Sequence, residues 1–226
     1  PRSRSTPSKP AIRPAISPHQ PMPTLLLIRH GENDYVKKHR LAGRLPGVHL
    51  NDKGRQQAQA VAAKLSTAPL KAIYSSPLER AMQTAEPLAQ ALNLPIIPRP
   101  GLIEADPGEW TGQSWKKLGR TKAWRIVQST PSLFHFPGGE TFLDAQQRIC
   151  VELQTLAGLH AAQELIACFS HADPIRLAVA YFIGLPLDMF QRLSVSPGSL
   201  TILHLSETST RLLALNVDPA FTLNLG

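Results

Sequence analysis

Cysteine is scarce in this 226-residue chain, which contains only Cys150 and Cys168. Two cysteines so far apart in sequence form neither a disulfide framework nor a metal-ligand pattern. Their scarcity therefore excludes the small disulfide-stapled domains and the zinc fingers. Cys150 lies in a helical pattern and Cys168 in a strand-like run, so we expect two buried free thiols. This cysteine usage is typical of a reducing compartment and predicts a cytoplasmic protein.

Long hydrophobic runs are missing as well. No apolar run approaches the ~18 residues that a membrane-spanning helix needs, so we expect no membrane partner. Acidic residues are outnumbered, with 16 Asp and Glu against 24 Lys and Arg and a net charge of +8. The chain has no basic stripe with interleaved aromatic residues, which argues against a nucleic-acid partner. A mildly basic crevice for anionic small molecules fits this charge better.

Residues 1–23 contain seven prolines, scattered serines and no apolar periodicity. This composition predicts a disordered tail. The tail lacks the apolar core of a secretory signal. Met22 stands just before the first apolar run, and whether residues 1–21 belong to the natural protein stays open.

Strand-like and helix-like patterns alternate after the tail. Asn51 is a suitable N-cap, Ser76–Glu79 reads as a capping box with Pro77 at N1, and Asp173 reads as a cap before Pro174. A long amphipathic helix is predicted from Phe142 onwards. Short apolar runs predict strands at 25–28, 70–74, 165–169, 200–205 and 212–215.

This alternation favours a three-layer α/β/α domain with a mostly parallel sheet. We expect one domain over residues 24–226. Within it, residues 101–139 form an irregular, lid-like insertion with short helical pieces around Trp115 and Trp124. Pro87 falls inside a predicted helix and suggests a kink there.

Arg29 and His30 follow the first predicted strand directly. Open α/β sheets bind ligands at the carboxyl ends of their strands, so both side chains are delivered to an expected crevice. Arginine suits a phosphate group, and neutral histidine is a nucleophile that can accept a phosphoryl group. Gly31, the next residue, allows a sharp turn or a close backbone approach.

Three further features of the sequence complement Arg29 and His30. Arg80 lies in the first turn of a predicted helix, where the helix dipole favours anions. His171 follows another buried strand and so reaches the same edge of the sheet. An acidic loop offers a general acid, and the residues alone do not choose between Glu104, Asp106 and Glu109.

The chain resembles the histidine phosphatase superfamily, also called the phosphoglycerate-mutase-like family. The resemblance spans about residues 24–218 and rests on six motifs in order. They are Arg29-His30-Gly31-Glu32, the stretch 50–58, the stretch 75–81, Glu104 with 108–112, Pro137-Gly138-Gly139-Glu140, and Ser170-His171.

The resemblance implies a role for each residue. His30 would carry a phosphohistidine, Arg29, Arg80 and a cationic His171 would hold the phosphoryl oxygens, and Glu104 would be the general acid and base. These cations would stand in for a metal, so no metal and no other cofactor is expected. The implied substrate contacts are Arg29, Gly31, Asn33, Gly43, Arg80 and Ala172.

Some positions depart from the family pattern. Ala172-Asp173 replace two glycines that often follow the second histidine, and Val36 and Ala42 replace polar residues.

We therefore expect a metal-independent phosphatase acting on a small phosphomonoester. A phosphoglycerate mutase or related phosphomutase and a non-catalytic phospholigand-binding module remain as alternatives. The substrate itself stays open, as does the choice between a monomer and a homodimer.

Overall fold

A computed structural model describes residues 23–205 and 210–220 of the chain. The tail predicted for residues 1–23 therefore lies outside the described residues, apart from Pro23. None of the helices within the described ranges is long and apolar enough to cross a membrane.

The described residues form one six-stranded sheet. Its strands are β1 (Thr24–Arg29), β2 (Leu70–Ser75), β3 (Ile96–Pro98), β4 (Leu165–Ser170), β5 (Leu200–His204) and β6 (Arg211–Val217). Their order across the sheet is β3-β2-β4-β1-β5-β6. β1, β2, β3 and β4 are mutually parallel, whereas β5 pairs antiparallel with both β1 and β6. The prediction of a mostly parallel sheet is confirmed, and so is each of the five predicted strands.

Helices cover both faces of the sheet. They are α1 (Asp34–Lys37), α2 (Asp52–Leu65), α3 (Glu79–Leu92), α4 (Trp115–Leu118), α5 (Lys122–Ser129), α6 (Phe142–Ala157) and α7 (Ala172–Phe182). Because strand side chains alternate between faces, Leu26 and Ile28 of β1 pack with the apolar residues of α2 and α3. Leu25 and Leu27 pack on the other face with α6 and α7. The three-layer α/β/α architecture is thereby confirmed.

The sequence missed β3. This strand has three residues, ends in Pro98 and pairs only with β2 at the edge of the sheet. Three residues are too few to show the alternation that reveals a longer strand. Within α3, the helix continues on both sides of Pro87.

Two predicted helix starts are wrong, and both errors lie beside the candidate site. The helix after β2 begins at Glu79 with Leu78 as its N-cap, so Ser76 does not form a capping box. The helix after β4 begins at Ala172 with His171 as its N-cap, so Asp173 lies inside its first turn. Both Ser76 and Asp173 are instead engaged with side chains of the site, as described below. The N-cap at Asn51 is confirmed, since its side chain accepts a hydrogen bond from the backbone N–H of Gly54.

Candidate active site

The carboxyl ends of β1, β2 and β4 meet at one edge of the sheet. Arg29 is in register with Ser170, so the residues that follow them, His30 and His171, become neighbours. Their ring centroids lie 5.1 Å apart. The backbone N–H of His30 donates to the carbonyl of Ser170 at 3.0 Å, which continues the pairing beyond the strands. Two histidines far apart in sequence are thus fixed side by side by the sheet itself.

His30 is held as a neutral ring whose Nε2 carries no proton. Its Nδ1 lies 2.7 Å from the carbonyl oxygen of Gly31, which can only accept, so Nδ1 carries the proton. Its Nε2 accepts a long 3.3 Å hydrogen bond from Nε of Arg80. Burial, together with the positive charges of Arg80 and Arg29, holds the pKa of His30 well below its usual range. This is the protonation state that a nucleophilic imidazole requires.

Arg80 and Arg29 bring positive charge to this nitrogen. Arg80 is only 1% exposed and is anchored by a 2.7 Å hydrogen bond from Nη2 to the carbonyl of Gly43. Arg29 is anchored by Nη1 on the carbonyl of Val195 at 2.6 Å. Each side chain keeps a buried donor that has no hydrogen-bond partner among the described residues, Nη1 of Arg80 and Nε of Arg29. Burial lowers the pKa of both guanidinium groups, that of Arg29 to about 10, so both remain charged at neutral pH.

His171 is fully buried and is oriented by Ser76. Its Nε2 lies 2.8 Å from Oγ of Ser76, and the tautomer in which the hydroxyl donates leaves the ring proton on Nδ1. Nδ1 has no hydrogen-bond partner and lies 3.9 Å from Oε2 of Glu104. Burial, then the charge of Arg80, holds the pKa of His171 well below its usual range. The resemblance implies a cationic His171, whereas burial and the charge of Arg80 favour a neutral ring that can offer one N–H.

Glu104 faces these residues from the opposite side of the pocket. Burial is the main cause that raises the pKa of Glu104, to about 7, and the nearby charge of Asp173 adds to it. The charges of Arg80 and Arg29 act in the opposite direction. A carboxyl group with such a pKa is half protonated near neutral pH, as a general acid needs to be.

The other two acidic candidates lie elsewhere. Asp106 accepts the backbone N–H of Gly108 at 2.9 Å and lies 3.7 Å from Arg44, whereas Glu109 is exposed. Of the three, Glu104 alone lines the pocket around His30. The geometry therefore favours Glu104 as the acid.

A network of side chains holds the backbone of Glu104. Its carbonyl oxygen accepts from Nε of Arg44 at 2.9 Å and from Nη2 of Arg148 at 3.4 Å. Arg148 also donates to the carbonyls of Gly101 and Ile103. Glu140 joins the two arginines, accepting from Arg44 at 2.5 Å and from Arg148 at 3.1 and 2.9 Å. We call Arg44, Glu140 and Arg148 the acid-loop clamp.

The predicted substrate contacts fall into two groups. Arg29, Arg80, Asn33, Gly43 and Ala172 line the pocket, and Nδ2 of Asn33 is buried there without a partner. The second group is Gly31 alone, where the predicted ligand contact stays a prediction. Its N–H donates to Oγ1 of Thr84, and a Cβ at this position would lie 2.5 Å from the carbonyl oxygen of Gly54. Gly31 is therefore required where β1 passes close to α2.

Several pocket residues were missed by sequence reasoning. Arg40, Trp115 and Arg176 line the pocket, as do Val36 and Ala42 at the positions where polar residues were expected. Asp173, read as a helix cap, instead lies 3.2 Å from Nη1 of Arg176. The clamp arginines carry no local sequence signal. Glu140 does carry one, the Pro137-Gly138-Gly139-Glu140 motif, but its partners are distant in sequence. Within residues 23–205 and 210–220, no three His, Cys, Asp or Glu residues form a group that could hold a metal ion.

Comparison with known families gives a match over nearly the whole described chain. The model of the histidine phosphatase superfamily (branch 1) matches residues 25–218. Phosphoserine phosphatase 1 of Hydrogenobacter thermophilus is 30% identical over 198 residues, which cover 87% of this chain and 93% of that protein. The 2,3-bisphosphoglycerate-dependent phosphoglycerate mutase of Thermoplasma acidophilum is 28% identical over 185 residues, covering 80% of this chain and 87% of the mutase.

Solved structures are similar over comparable lengths. A mycobacterial glucosyl-3-phosphoglycerate phosphatase in complex with VO3 superposes with a TM-score of 0.79 at 26% identity, covering 86% of this chain and 98% of that one. The Bacillus stearothermophilus protein YhfR gives a TM-score of 0.78 at 28% identity, with 84% and 95% covered. The similarity therefore extends to both the sequence and the fold.

Proposed function

This chain belongs to the histidine phosphatase superfamily, and from that membership we propose that it hydrolyses small phosphomonoesters through a phosphohistidine at His30. The observation that carries the proposal is the unprotonated Nε2 of His30, whose lone pair accepts only a long 3.3 Å hydrogen bond from Nε of Arg80. It lies among guanidinium groups with unpaired donors, in a pocket that is also lined by a carboxyl group of raised pKa. These are the parts that transfer of a phosphoryl group to nitrogen needs.

In the first step, Nε2 of His30 attacks phosphorus. The P–N bond forms while the bond from phosphorus to the ester oxygen breaks. Glu104 gives its proton to that oxygen, so the product leaves as a neutral alcohol. The unpaired donors of Arg29 and Arg80, with the Nδ1–H of His171, are placed to stabilise the phosphoryl oxygens. The charge of the two arginines supplies the role that a metal ion has in other phosphotransferases.

In the second step, Glu104 acts as a base. Now a carboxylate, it takes a proton from a water molecule that attacks phosphorus. The P–N bond breaks, inorganic phosphate leaves, and both His30 and Glu104 return to their starting protonation states. The same carboxyl group thus serves both halves of the reaction, which suits a pKa near neutrality.

We propose that hydrolysis dominates over phosphoryl transfer to a second substrate. A mutase must hold its phosphoenzyme away from water and bind a second set of anionic groups. Val36 and Ala42 line this pocket and offer no polar side-chain contact. With 3-phosphoglycerate and a bisphosphoglycerate primer, we expect free phosphate. Formation of 2-phosphoglycerate much faster than phosphate release would instead favour a mutase.

Trapping the intermediate tests the proposal directly. Protein quenched after brief incubation with ³²P-labelled substrate should carry phosphate that is lost in acid and retained in base. The label should be absent from His30→Ala, and chelator treatment should leave turnover unchanged. Steady hydrolysis with no trapped label and no effect of His30→Ala would contradict the proposal. An unreactive protein that still binds phosphate would favour the non-catalytic alternative.

We also propose the setting in which this chemistry takes place. Residues 24–226 would act as one catalytic domain, with 101–139 covering the site, since Trp115 and Phe136 of that segment line the pocket. Cys150 and Cys168 are buried free thiols, and burial raises the pKa of Cys150 to about 12. Two unreactive thiols of this kind support a reducing, cytoplasmic location.

A further inference from the structure

A second and larger cavity adjoins the pocket around His30. The two have volumes of about 150 and 330 Å³. Five residues line both of them: Leu41, Trp115, Phe136, Asp173 and Arg176. We call these shared residues the passage and the second cavity the annex. Because the two cavities share these residues, a group attached to a phosphoryl unit at His30 lies next to the annex.

The walls of the annex are mainly aromatic and aliphatic. Beyond the passage they include Trp124, Val127 and Phe142. Trp124 packs against Trp110, with ring centroids 6.1 Å apart, and this contact restricts the position of its indole. These walls are supplied largely by α5 and the segment around it, and they are preformed.

Trp115 is the residue of the annex on which the inference depends most. It is 46% exposed, although it sits at the first position of α4 beside the catalytic pocket. Its backbone N–H is held by the carbonyl of His39, and its ring lies 5.3 Å from that of His39. A large indole kept partly in water next to a pocket offers apolar area that a bound ligand would cover.

Four of the ten residues that line the annex are polar or charged. Gln128 is exposed, and the amide of Gln191 donates to the carbonyl of Val127. The Asp173–Arg176 pair stands in the passage, and Nε of Arg176 is buried without a hydrogen-bond partner. A small polar leaving group would stay near this pair and leave the aromatic walls in contact with water.

We propose that the annex binds the alcohol portion of the substrate, and that the preferred substrates are phosphomonoesters whose alcohol carries a planar aromatic group. This inference rests on the proposed phosphatase function of the same pocket. It assigns Trp115 as a specificity-determining residue, because its ring lies where the passage joins the annex.

The test compares two substrates with matched chemistry at the leaving oxygen. Propyl phosphate and 2-naphthylmethyl phosphate both release a primary alkoxide, so a difference between them reports on binding of the attached group. We expect kcat/KM for the naphthylmethyl ester to exceed that for the propyl ester at least about tenfold. O-phosphoserine should behave like the propyl ester.

Substitutions at Trp115 locate the source of this preference. Trp115→Ala should lower kcat/KM for the naphthylmethyl ester about tenfold more than kcat/KM for the propyl ester, mainly through KM. Trp115→Phe, which keeps an aromatic face, should restore most of the preference. Leu159→Ala removes another exposed apolar side chain, one that does not line either cavity, and should behave as the unaltered protein.

The outcomes separate this inference from the proposed function. Failure to hydrolyse either ester or p-nitrophenyl phosphate would overturn the function and the inference with it. Hydrolysis of both esters at similar kcat/KM, or a preference for O-phosphoserine, would overturn the inference alone. Equal losses on both esters in Trp115→Ala would do the same, since they would indicate a general structural defect.

Discussion

The two halves of the candidate active site are built in different ways. In the phosphate-binding half, His30 and His171 follow adjacent parallel strands, and Arg80 lies in the first turns of α3. In the acid-bearing half, Glu104 lies in irregular chain between the short 3₁₀ turns Pro100–Leu102 and Gly108–Trp110.

The two halves also depend on different contacts. Backbone pairing of the sheet fixes the histidines, whereas the backbone of Glu104 is held by the side chains of Arg44 and Arg148, 60 and 44 residues away in sequence. The nucleophile thus depends on the fold as a whole, and the acid depends on a few long-range hydrogen bonds. We therefore expect that the acid can be disturbed without disturbing the nucleophile, and the following predictions test this separation.

The largest effect is expected in the phosphate-binding half. His30→Ala removes the nucleophile and should lower kcat at least about 10³-fold for every phosphomonoester, whatever its leaving group. Initial rates with propyl and p-nitrophenyl phosphate measure this. His49→Ala, which changes an exposed histidine hydrogen-bonded to Gln83, is the matched control and should retain full activity. If the loss in His30→Ala depended on the leaving group, the proposed separation between the phosphate-binding half and the acid-bearing half would be contradicted.

In the acid-bearing half, the effect should depend on the leaving group. Glu104→Gln cannot donate a proton, so kcat/KM for propyl phosphate should fall about 10²- to 10⁴-fold. The loss of kcat/KM on p-nitrophenyl phosphate should be small, because its leaving group departs without protonation. The comparison uses kcat/KM because this parameter ends with release of the alcohol, whereas kcat also includes the later step in which Glu104 activates water. Glu109→Gln, in the same segment but exposed, serves as the control. Equal losses on both substrates would remove Glu104 from the role of general acid.

The acid-loop clamp should give a weaker version of the same pattern. Glu140→Gln loosens Arg44 and Arg148 and so misplaces Glu104, which should cost about ten- to a hundredfold in kcat/KM for propyl phosphate. Little change is expected in kcat/KM for p-nitrophenyl phosphate.

Two controls distinguish positioning from a general loss of stability. Glu152→Gln breaks the partly buried pair with Arg99 at 2.5 Å and should not produce the leaving-group dependence. In a Glu104→Gln background, Glu140→Gln should cost nothing further on propyl phosphate, because there is no acid left to position. An additive loss in the double variant would mean that the clamp acts elsewhere.

The smallest effect concerns pH. The pH dependence of kcat/KM reports the free enzyme, in which Glu104 has a pKa raised to about 7 by burial and by Asp173. Since the acid must be protonated, kcat/KM for propyl phosphate should fall as pH rises through about 7. His30 is neutral and adds no further limb to the pH profile of kcat/KM in this range, because its pKa lies well below its usual value.

Asp173→Asn should move that limb to lower pH, because removing the negative charge lowers the pKa of Glu104. Asp34→Asn, which alters an exposed acid paired with Lys38, should leave the limb in place. A limb that persists unchanged in Glu104→Gln would assign the titration to another group.

The same division explains what the sequence could predict. Short apolar runs ending in Arg29-His30 and Ser170-His171 placed both histidines at one edge of a parallel sheet, because strand ends carry a local signal. The choice among Glu104, Asp106 and Glu109 had no local signal, and only the resemblance favoured Glu104. The clamp arginines could not be found, since their hydrogen bonds join segments that meet only in the folded chain.

The two wrongly predicted helix starts also show where local sequence signals fail. Ser76 and Asp173 have the residue type and spacing of N-caps, and local chemistry alone favours that interpretation. The structure engages Ser76 with His171 and Asp173 with Arg176 instead. Such conflicts between local preference and tertiary use are expected to concentrate at functional sites.

The unpaired donors of the pocket also make the folded state itself sensitive to oxyanions. Arg29, Arg80 and His171 each bury a nitrogen without a partner, and such a group typically costs about 1–3 kcal/mol of folding free energy. A phosphate ion that binds only the native chain returns free energy by mass action, about 2.7 kcal/mol at a hundred times its dissociation constant. Inorganic phosphate, the product of the proposed reaction, would thus stabilise the folded state. It would also compete with the substrate for the same pocket. The lifetime of the enzyme and its rate of turnover would then respond in opposite directions to the phosphate level around it.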